Sequence, residues 1–377
     1  MLIGVDAGAF GDIRAGVARY LREMLREMML ASIDDDFVLY ATTPIEVPLP
    51  PGRWRVRLLG PNRSFVPGHW LRDTIPRAIA EDRIDVFWGQ NAVMPLRVLV
   101  PCRRVLTIHD LTGLVFPRAM KLRNRLFWRT NLQGAARAAD AIVAVSRATG
   151  RLVQTLLGVP RDRIFVVPEG RAQGLLRMVR ANARRDVAGR FGLPDVFLLT
   201  VGTIEPRKDQ LTLLDAVRRN ESAPLLVIVG APGWKSRSVI RAIRSAESRG
   251  AVRYLGQVND QELANLYSAA ELMVYPSLYE GFGLPVLEAM ASGCPVLCSW
   301  SSSLPEVGGT AARYFRPHNV DDLAAKLSEL LSDSSKLAEM SEAGIAQAAK
   351  FSFEVAARSL LGVFHGSAAA HRQSVDR

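Results

Sequence analysis

The stretch SLYEGFGLPVLEAMASG, residues 277–293, places a loop carboxylate, Glu280, ahead of a helical pattern that carries a second one, Glu288. The loop glycines let the backbone approach a ligand closely, and Pro285 suits the first turn of a helix, where its missing N–H costs nothing. The free N–H groups of that turn favour an anion. The stretch therefore predicts a loop and helix between two strands, with a ligand site at the helix start.

A plainer interpretation is available for both acids. Most helical glutamates are solvated, so Glu280 would cap the helix and Glu288 would be a surface charge. Two observations favour the ligand site. The glycines, the proline and both acids occur together, and one turn of helix returns Glu288 to the side of the helix start.

Apolar strand-like runs alternate with helical patterns along the chain. In the first half, the predicted strands are 2–5, 37–40, 56–59, 86–88, 104–108, 141–145 and 164–167, and the helices are 15–30, 70–81, 121–138 and 147–157. The pattern restarts with strands 196–202, 225–229, 252–255, 272–275 and 295–299, and helices 209–219, 235–249, 260–269, 320–331, 335–350 and 353–364. Such alternation is typical of parallel sheets with helices on both faces, so the predicted fold class is α/β with two doubly wound domains.

Length and composition agree with a globular protein of two domains. The chain has 377 residues, 49% of them hydrophobic and 23% charged. No apolar run reaches the length of a membrane span and the N-terminus enters a strand, so we expect neither a transmembrane helix nor a signal peptide. The three cysteines lack metal-type spacing and are predicted to be reduced core thiols of a cytosolic protein.

The charge is uneven. Of the net +11, residues 1–170 hold +8, with 24 Lys and Arg against 16 Asp and Glu. This favours an anionic partner for the first half, whether nucleic acid, lipid headgroup or phosphorylated substrate, although a general bias toward arginine explains it equally well. The acidic run 34–36 superficially offers carboxylates for a metal, but it lies far from any phosphate signal and is predicted to be a solvated turn.

Residues 277–293 resemble the "E, seven residues, E" motif of the retaining glycosyltransferases of family 4, whose architecture is called GT-B. The resemblance implies that Glu280 lies at the donor sugar and that Glu288 bonds the ribose of the nucleotide. It also implies donor contacts along the helix start, at Phe282, Gly283 and Leu284. The resemblance covers the whole chain, which is similar to bacterial mannosyltransferases of O-antigen and exopolysaccharide assembly. Two Rossmann-like domains would then face an interdomain cleft.

The same resemblance implies a division of the chain. Residues 1–170 form an acceptor-binding domain, to which a C-terminal helix at about 353–366 crosses back. Residues 171–190, which are basic and weakly patterned, form the linker. Residues 191–352 form the nucleotide-sugar domain, and 367–377 a frayed tail.

A basic turn follows the first strand of the second domain. Arg207 offers a planar fork and Lys208 a point charge, which suits a diphosphate, although an exposed basic turn is the alternative. The segment resembles the family's diphosphate loop, which implies that both cations stabilise the leaving nucleoside diphosphate. Many members carry Arg where this chain has Thr203, so the contact shifts toward Arg207. Val258 lies in a segment that resembles the nucleobase pocket.

Two segments of the first domain contain residues that are predicted to contact a ligand. Gly16, in a loop beginning at residue 14, would bring backbone N–H groups to a phosphate, as in the similar family loop. His109 ends a strand; a lone His is more often structural, but the family places this one against the donor sugar. Asp110 either orients His109 or caps the turn.

The region 117–137 interleaves cations with large apolar side chains. It predicts either peripheral contact with an anionic membrane or an ordinary amphipathic helix with one face in the core.

The resemblance implies a retaining enzyme that moves a hexose, mannose from GDP-mannose before others, onto a polysaccharide or lipid-linked oligosaccharide by a front-face mechanism. It implies a nucleotide-sugar donor, no metal or other cofactor, no nucleic-acid partner, and a cytoplasmic location with the option of contact at the inner face of the membrane. A UDP- or dTDP-sugar donor is the alternative. An NAD-dependent oxidoreductase and a nucleic-acid binder are alternatives of other classes, but the sequence shows neither a Gly-x-Gly-x-x-Gly turn nor a recognition module.

Overall fold

The computed structural model describes residues 1–11, 16–45, 49–50, 52–59, 73–90, 94–95, 102–117, 122–171, 177–220 and 222–366. They divide into two compact units. The first takes its residues from Met1–Val115, Lys121–Gly170 and Ser352–Arg377, and the second from Phe116–Met120 and Arg171–Phe351.

The first unit contains a seven-stranded parallel sheet in the order β3-β2-β1-β4-β5-β6-β7. Its strands are rich in β-branched and aromatic residues, and β4 and β6 are buried along their whole length, as expected of a sheet covered by helices, whereas the edge strands are partly exposed. The strands are β1 Leu2–Asp6, β2 Asp36–Ala41, β3 Trp54–Leu58, β4 Val86–Gly89, β5 Arg103–Ile108, β6 Ala141–Ala144 and β7 Ile164–Val166.

Helices pack on both faces of this sheet. They are α1 Gly16–Ala31, α2 Ile75–Asp82, α3 Thr112–Val115, α4 Leu122–Ala138, α5 Arg147–Leu157 and, from the end of the chain, α14 Phe353–Phe364. Helix α14 packs beside α1, and its apolar side chains join the same core as Tyr20 and Trp88. The start of α14 also lies very close to Gly170, since a Cβ at Gly170 would lie 2.1 Å from the backbone nitrogen of Phe353.

The second unit contains a six-stranded parallel sheet in the order β10-β9-β8-β11-β12-β13. The strands are β8 Phe197–Val201, β9 Leu225–Val229, β10 Val252–Gly256, β11 Leu272–Tyr275, β12 Val296–Ser299 and β13 Arg313–Phe315. In both sheets the first strand of the unit lies centrally and chain order reverses beside it, at β1/β4 and at β8/β11. These are the topological switch points at which ligands of doubly wound sheets bind.

The helices of the second unit are α6 Arg180–Phe191, α7 Gln210–Arg219, α8 Arg237–Glu247, α9 Asp260–Ala269, α10 Leu284–Ala291, α11 Leu304–Gly308, α12 Val320–Leu331 and α13 Ser334–Ala348. Helix α9 starts with a capping box between Asn259 and Glu262, which explains its sharp beginning. The fold class predicted from the sequence, α/β with two Rossmann-like domains, is confirmed.

Two local predictions were wrong, and the segment predicted as the linker contains a helix. Helix α6 occupies much of the predicted linker and packs on α9, since Ala183 and Val187 supply a short apolar stripe that a basic composition concealed. Asp35 is buried, where it accepts from the Ser32 hydroxyl at 2.7 Å, so the run 34–36 is not wholly solvated. Cys102 is only half-buried, whereas Cys294 and Cys298 lie in the core.

Several predictions fall partly outside the described residues: the loop at 14–15, the first residues of helix 70–81, and the tail. In the described part of the chain, no helix is both long enough and apolar enough to span a membrane.

Candidate active site

The loop between β11 and α10 is built as the sequence predicts. Gly283 stands at the helix N-terminus with φ of 115°, a conformation that side chains with a Cβ rarely adopt, and Pro285 lies in the first turn. Helix α10 therefore begins abruptly at Leu284, with its free N–H groups directed beyond the carboxyl end of the sheet.

Glu280 lies in this loop and is buried, with 9% of its surface exposed. Its Oε1 accepts hydrogen bonds from Lys208 Nζ at 2.5 Å, the Tyr275 hydroxyl at 2.9 Å and the Ser277 hydroxyl at 2.5 Å. Its Oε2 lies 3.1 Å from a terminal guanidinium nitrogen of Arg207. Burial alone would raise the pKa of this carboxyl, but Lys208 and Arg207 lower it to about 2. Glu280 is therefore ionised at neutral pH and a weak base.

Arg207 and Lys208 come from a short 3₁₀ turn, Pro206–Lys208, that follows β8. Arg207 pairs with Glu205 at 2.6 Å and donates to the carbonyl of Tyr279 at 2.6 Å. Lys208 Nζ also donates to the Tyr275 hydroxyl at 2.7 Å and lies 5.2 Å from the centre of its ring. Burial lowers the pKa of Lys208, and the charge of Glu280 opposes that shift. The alternative of an exposed basic turn is therefore wrong.

Glu288 lies one turn into α10 and is also buried, with 5% of its surface exposed. The Tyr267 hydroxyl of α9 donates to its Oε2 at 3.1 Å. The interpretation of Glu280 and Glu288 as a cap and a surface charge is therefore wrong. Their assigned contacts with the sugar and the ribose stay predictions.

A serine-rich segment after β12 holds the Glu280 loop by its backbone. The Ser302 hydroxyl accepts from the Glu280 N–H at 2.8 Å, and the Ser303 hydroxyl donates to the carbonyls of Glu280 at 3.0 Å and Phe282 at 2.6 Å. Ser299 and Ser301 donate to loop carbonyls in the same way. In the sequence, the segment that begins at Ser302 resembles the family, but sequence reasoning gave these hydroxyls no role; their run at the end of a strand is the signal for it.

The remaining predicted donor contacts are placed less tightly. Thr203 follows β8, and its carbonyl accepts from the Gln210 amide at 3.1 Å. Val258 follows β10, half-buried, just before α9. The side chain of Phe282 packs edge-on against Phe351, with 5.6 Å between ring centres. Phe282 therefore has a packing role, and a ligand contact would come from its backbone.

In the first unit, His109 directly follows β5 and its Nδ1 lies 3.1 Å from Oε1 of Glu169. The ring of Tyr20 meets the imidazole edge-on at 4.6 Å. The partner of the His109 Nδ1 is therefore Glu169 and not Asp110. Asp110 instead accepts from the backbone N–H of Thr112 at 2.8 Å and so caps the turn. Glu169 is the partner of the ring that sequence reasoning missed, although its position in Pro168-Glu169-Gly170 marked the end of the domain.

Gly16 is the first residue of α1 and is exposed. A Cβ at this position would meet nothing within 4 Å, which leaves room for a ligand. The described part of the chain contains no group of three or more His, Cys, Asp or Glu side chains arranged to hold a metal ion.

Two family profiles match the chain: "Glycosyltransferase Family 4" over residues 14–171 and "Glycosyl transferases group 1" over residues 187–347. O-antigen chain mannosyltransferase B of Escherichia coli is 33% identical over 274 residues, which are 71% of each chain. This chain belongs to glycosyltransferase family 4. The serotype-specific mannosyltransferase WbdA of E. coli is 34% identical over 67% of this glycosyltransferase, but the match spans only 32% of WbdA.

Solved structures show the same fold at lower identity. Sucrose-phosphate synthase of Thermosynechococcus elongatus superposes with a TM-score of 0.78 at 20% identity, covering 97% of this glycosyltransferase and 98% of that chain. HepE of Anabaena, solved with UDP and glucose, gives 0.76 at 17% identity over 97% and 99%. The GT-B fold is thereby confirmed, and family membership makes this chain a glycosyltransferase rather than an NAD-dependent oxidoreductase.

Proposed function

We propose that this enzyme transfers mannose from GDP-mannose, with retention of configuration, to a polysaccharide or lipid-linked oligosaccharide. Relatives that are mannosyltransferases support the choice of sugar. Family membership supports a nucleotide-sugar donor, and the guanine base is proposed from the subgroup resemblance.

The observation that carries the proposal is the buried cluster of Arg207, Lys208 and Glu280 at the β8/β11 switch point. An ammonium group has three N–H donors, and Lys208 directs two of them to Glu280 and Tyr275. The third serves a phosphate oxygen of the donor. The N-terminus of α10 and Arg207 add positive potential for the same group.

The chemistry follows from the state of Glu280. A carboxylate with four donors and a pKa near 2 is a poor nucleophile and cannot supply a proton at neutral pH. In our proposal it holds sugar hydroxyls, and a front-face reaction occurs: the leaving phosphate oxygen stays near the anomeric carbon and takes the acceptor proton. Arg207, Lys208 and the helix N-terminus stabilise the charge that grows on the diphosphate. Glu288 bonds the ribose, Val258 lies at the base, and His109 contacts the sugar.

The donor is tested by hydrolysis in water, as surrogate acceptor, of GDP-mannose, UDP-glucose and a dTDP-sugar. We expect turnover with GDP-mannose, and a thermal shift with GDP that exceeds that with UDP or NAD. A ligand at a hundredfold its dissociation constant stabilises a fold by about 2.7 kcal/mol. Turnover confined to a UDP- or dTDP-sugar would contradict the donor assignment.

The site is tested by the double variant Lys208→Met with Glu280→Gln. Removing one member would leave a buried charge without its partner, whereas replacing both keeps the cluster neutral and the fold intact. We expect transfer to fall by about 10³-fold or more, because both a phosphate donor and a sugar contact are lost. Lys350→Met, at an exposed lysine, is the control and should react as the wild type does. Near-normal transfer by the double variant would refute the site.

The membrane contact predicted for region 117–137 depends mainly on side chains that lie outside the described ones. It stays a prediction, and so does the cytoplasmic location.

A further inference from the structure

Two neighbouring strands of the first unit end in buried polar atoms that have no hydrogen-bond partner in the described structure. Gln90 directly follows β4, is 1% exposed, and leaves both its amide oxygen and its amide nitrogen without a partner. His109 directly follows β5, and its buried Nε2 lacks a partner as well. Buried polar groups are rarely left unpaired, so each such atom calls for an explanation.

The strand register places the two residues at the ends of neighbouring strands, offset by two positions. Gly89 pairs with Leu106, which puts Gln90 beside Thr107, two residues before His109. The indole N–H of Trp88 donates to the Thr107 hydroxyl at 2.8 Å, so these side chains lie on one face of the sheet. Side chains two residues further along each strand continue on that face.

A third side chain supports this placement. The ring of Tyr20 contacts both Trp88, at 6.4 Å between ring centres, and His109, at 4.6 Å. Tyr20 and Trp88 belong to the apolar core on the side of the sheet that α1 covers. Gln90 also stands at the β1/β4 switch point, where doubly wound sheets bind their ligands.

The donor and acceptor pattern identifies the ligand chemistry. Nδ1 of His109 donates to the buried carboxylate of Glu169, so in the neutral ring Nε2 is an acceptor. The Gln90 amide offers both donors and an acceptor. A phosphate, which presents acceptors only to a protein, would pair with Nε2 only in a protonated ring. A hydroxyl group both donates and accepts, and therefore satisfies both residues.

We propose that Gln90 and Nε2 of His109 bind adjacent hydroxyl groups of a hexose, with Gln90 as a further specificity-determining residue of the transfer reaction. This inference rests on the proposed function for the identity of the ligand as a sugar. The two sugars in the reaction, on the donor and on the acceptor, share this chemistry, and the experiment separates them.

The test is Gln90→Met, which keeps the length of the side chain and removes its polar atoms. If the Gln90 amide serves a ligand, the substitution removes from the unliganded protein a buried polar group that has no partner. The melting temperature Tm should then stay constant or rise by about 2–4 °C. GDP-mannose hydrolysis, transfer from GDP-mannose to a mannose-terminated trisaccharide, or both should fall at least tenfold. A loss in both reactions assigns the hydroxyls to the donor sugar, and a loss in transfer alone assigns them to the acceptor.

The matched control is Asn265→Leu. Asn265 is a buried amide of the second unit that is already paired, since its nitrogen donates to Asp186 at 2.6 Å. This variant should lower Tm and leave both reactions unchanged at temperatures where it is folded. A lowered Tm for Gln90→Met, or both of its reactions within twofold of wild type, would overturn the assignment. If wild-type enzyme turns over no nucleotide-sugar, the proposed function itself fails and the sugar site falls with it.

Discussion

The hydroxyl of Tyr275 contacts both members of the Lys208–Glu280 pair, donating to the carboxylate at 2.9 Å and accepting from the ammonium at 2.7 Å. It fixes the distance and orientation of two charges that our proposal assigns to the sugar and the diphosphate. Tyr275 ends β11 and is fully buried, so it acts through its neighbours and is a positioning residue.

Tyr275→Phe should lower the free energy of unfolding by about 1.5–3 kcal/mol, because hydrogen bonds to charged groups are lost. Transfer should fall about tenfold. The acid limb of the pH–rate profile should move to higher pH, because a lost donor raises the pKa of Glu280. Tyr40→Phe is the control: its buried hydroxyl also donates to a carboxylate, Asp82, at 2.9 Å. A similar loss of stability with an unchanged profile is expected there, and an unshifted profile for Tyr275→Phe would leave it a purely structural role.

At the scale of elements, the start of α10 depends on one glycine. Gly283 has φ of 115°, and a Cβ there would lie 2.9 Å from a side-chain methyl of Leu304. With another residue at position 283, the helix could begin at Leu284 only if its first N–H groups turned away from their present direction. The position of this helix N-terminus is therefore set by backbone geometry.

Gly283→Ala should cost about 1–3 kcal/mol of unfolding free energy, from the strained backbone and the contact with Leu304. Donor affinity should fall with it, as read from the thermal shift produced by GDP. Gly189→Ala is the matched control, because Gly189 lies within α6, is exposed and has an open Cβ position. That variant should be stabilised by about 0.5–1 kcal/mol and bind GDP normally. Equal stability of the two variants would contradict this account.

At the scale of the whole molecule, the buried charge pair links the second unit to pH. The folded pKa of Glu280, about 2, lies below its usual value of 4.5, so its contribution is complete above pH 4.5 and is lost as pH falls toward 2. The loss is on the order of 3 kcal/mol. Urea unfolding at pH 7, 4 and 3, with hydrogen exchange resolved by segment, should show the residues around β11 and α10 weakening over this window.

The double variant Lys208→Met with Glu280→Gln lacks the titrating pair. Its stability in the same segments should therefore change less between pH 7 and 3 than that of the wild type. A slope equal to the wild-type slope would mean that other carboxylates control acid unfolding.

Hydrophobic periodicity, together with residues that start or end helices, was sufficient to predict most elements. Strands read as continuous apolar runs because both faces of a parallel sheet are buried, and Pro285 marked the start of a helix. Helix α6 was not predicted, because its buried residues are two small apolar side chains, Ala183 and Val187. The loop between β11 and α10 was predicted because Glu280, Gly283 and Glu288 are neighbours in sequence.

By itself, the sequence determined the α/β class, the two restarting sheets and the cluster of acids and cations that follows β8 and β11. These are local patterns of hydrophobicity and charge, and a chain displays them before it folds. Only the tertiary structure decided that Tyr275 and the serines at the end of β12 hold Glu280, that Glu169 is the partner of His109, and that Gln90, at the end of the neighbouring strand, has no partner in the described structure. These residues lie at or just beyond the carboxyl ends of the strands, which the parallel sheet brings to one edge.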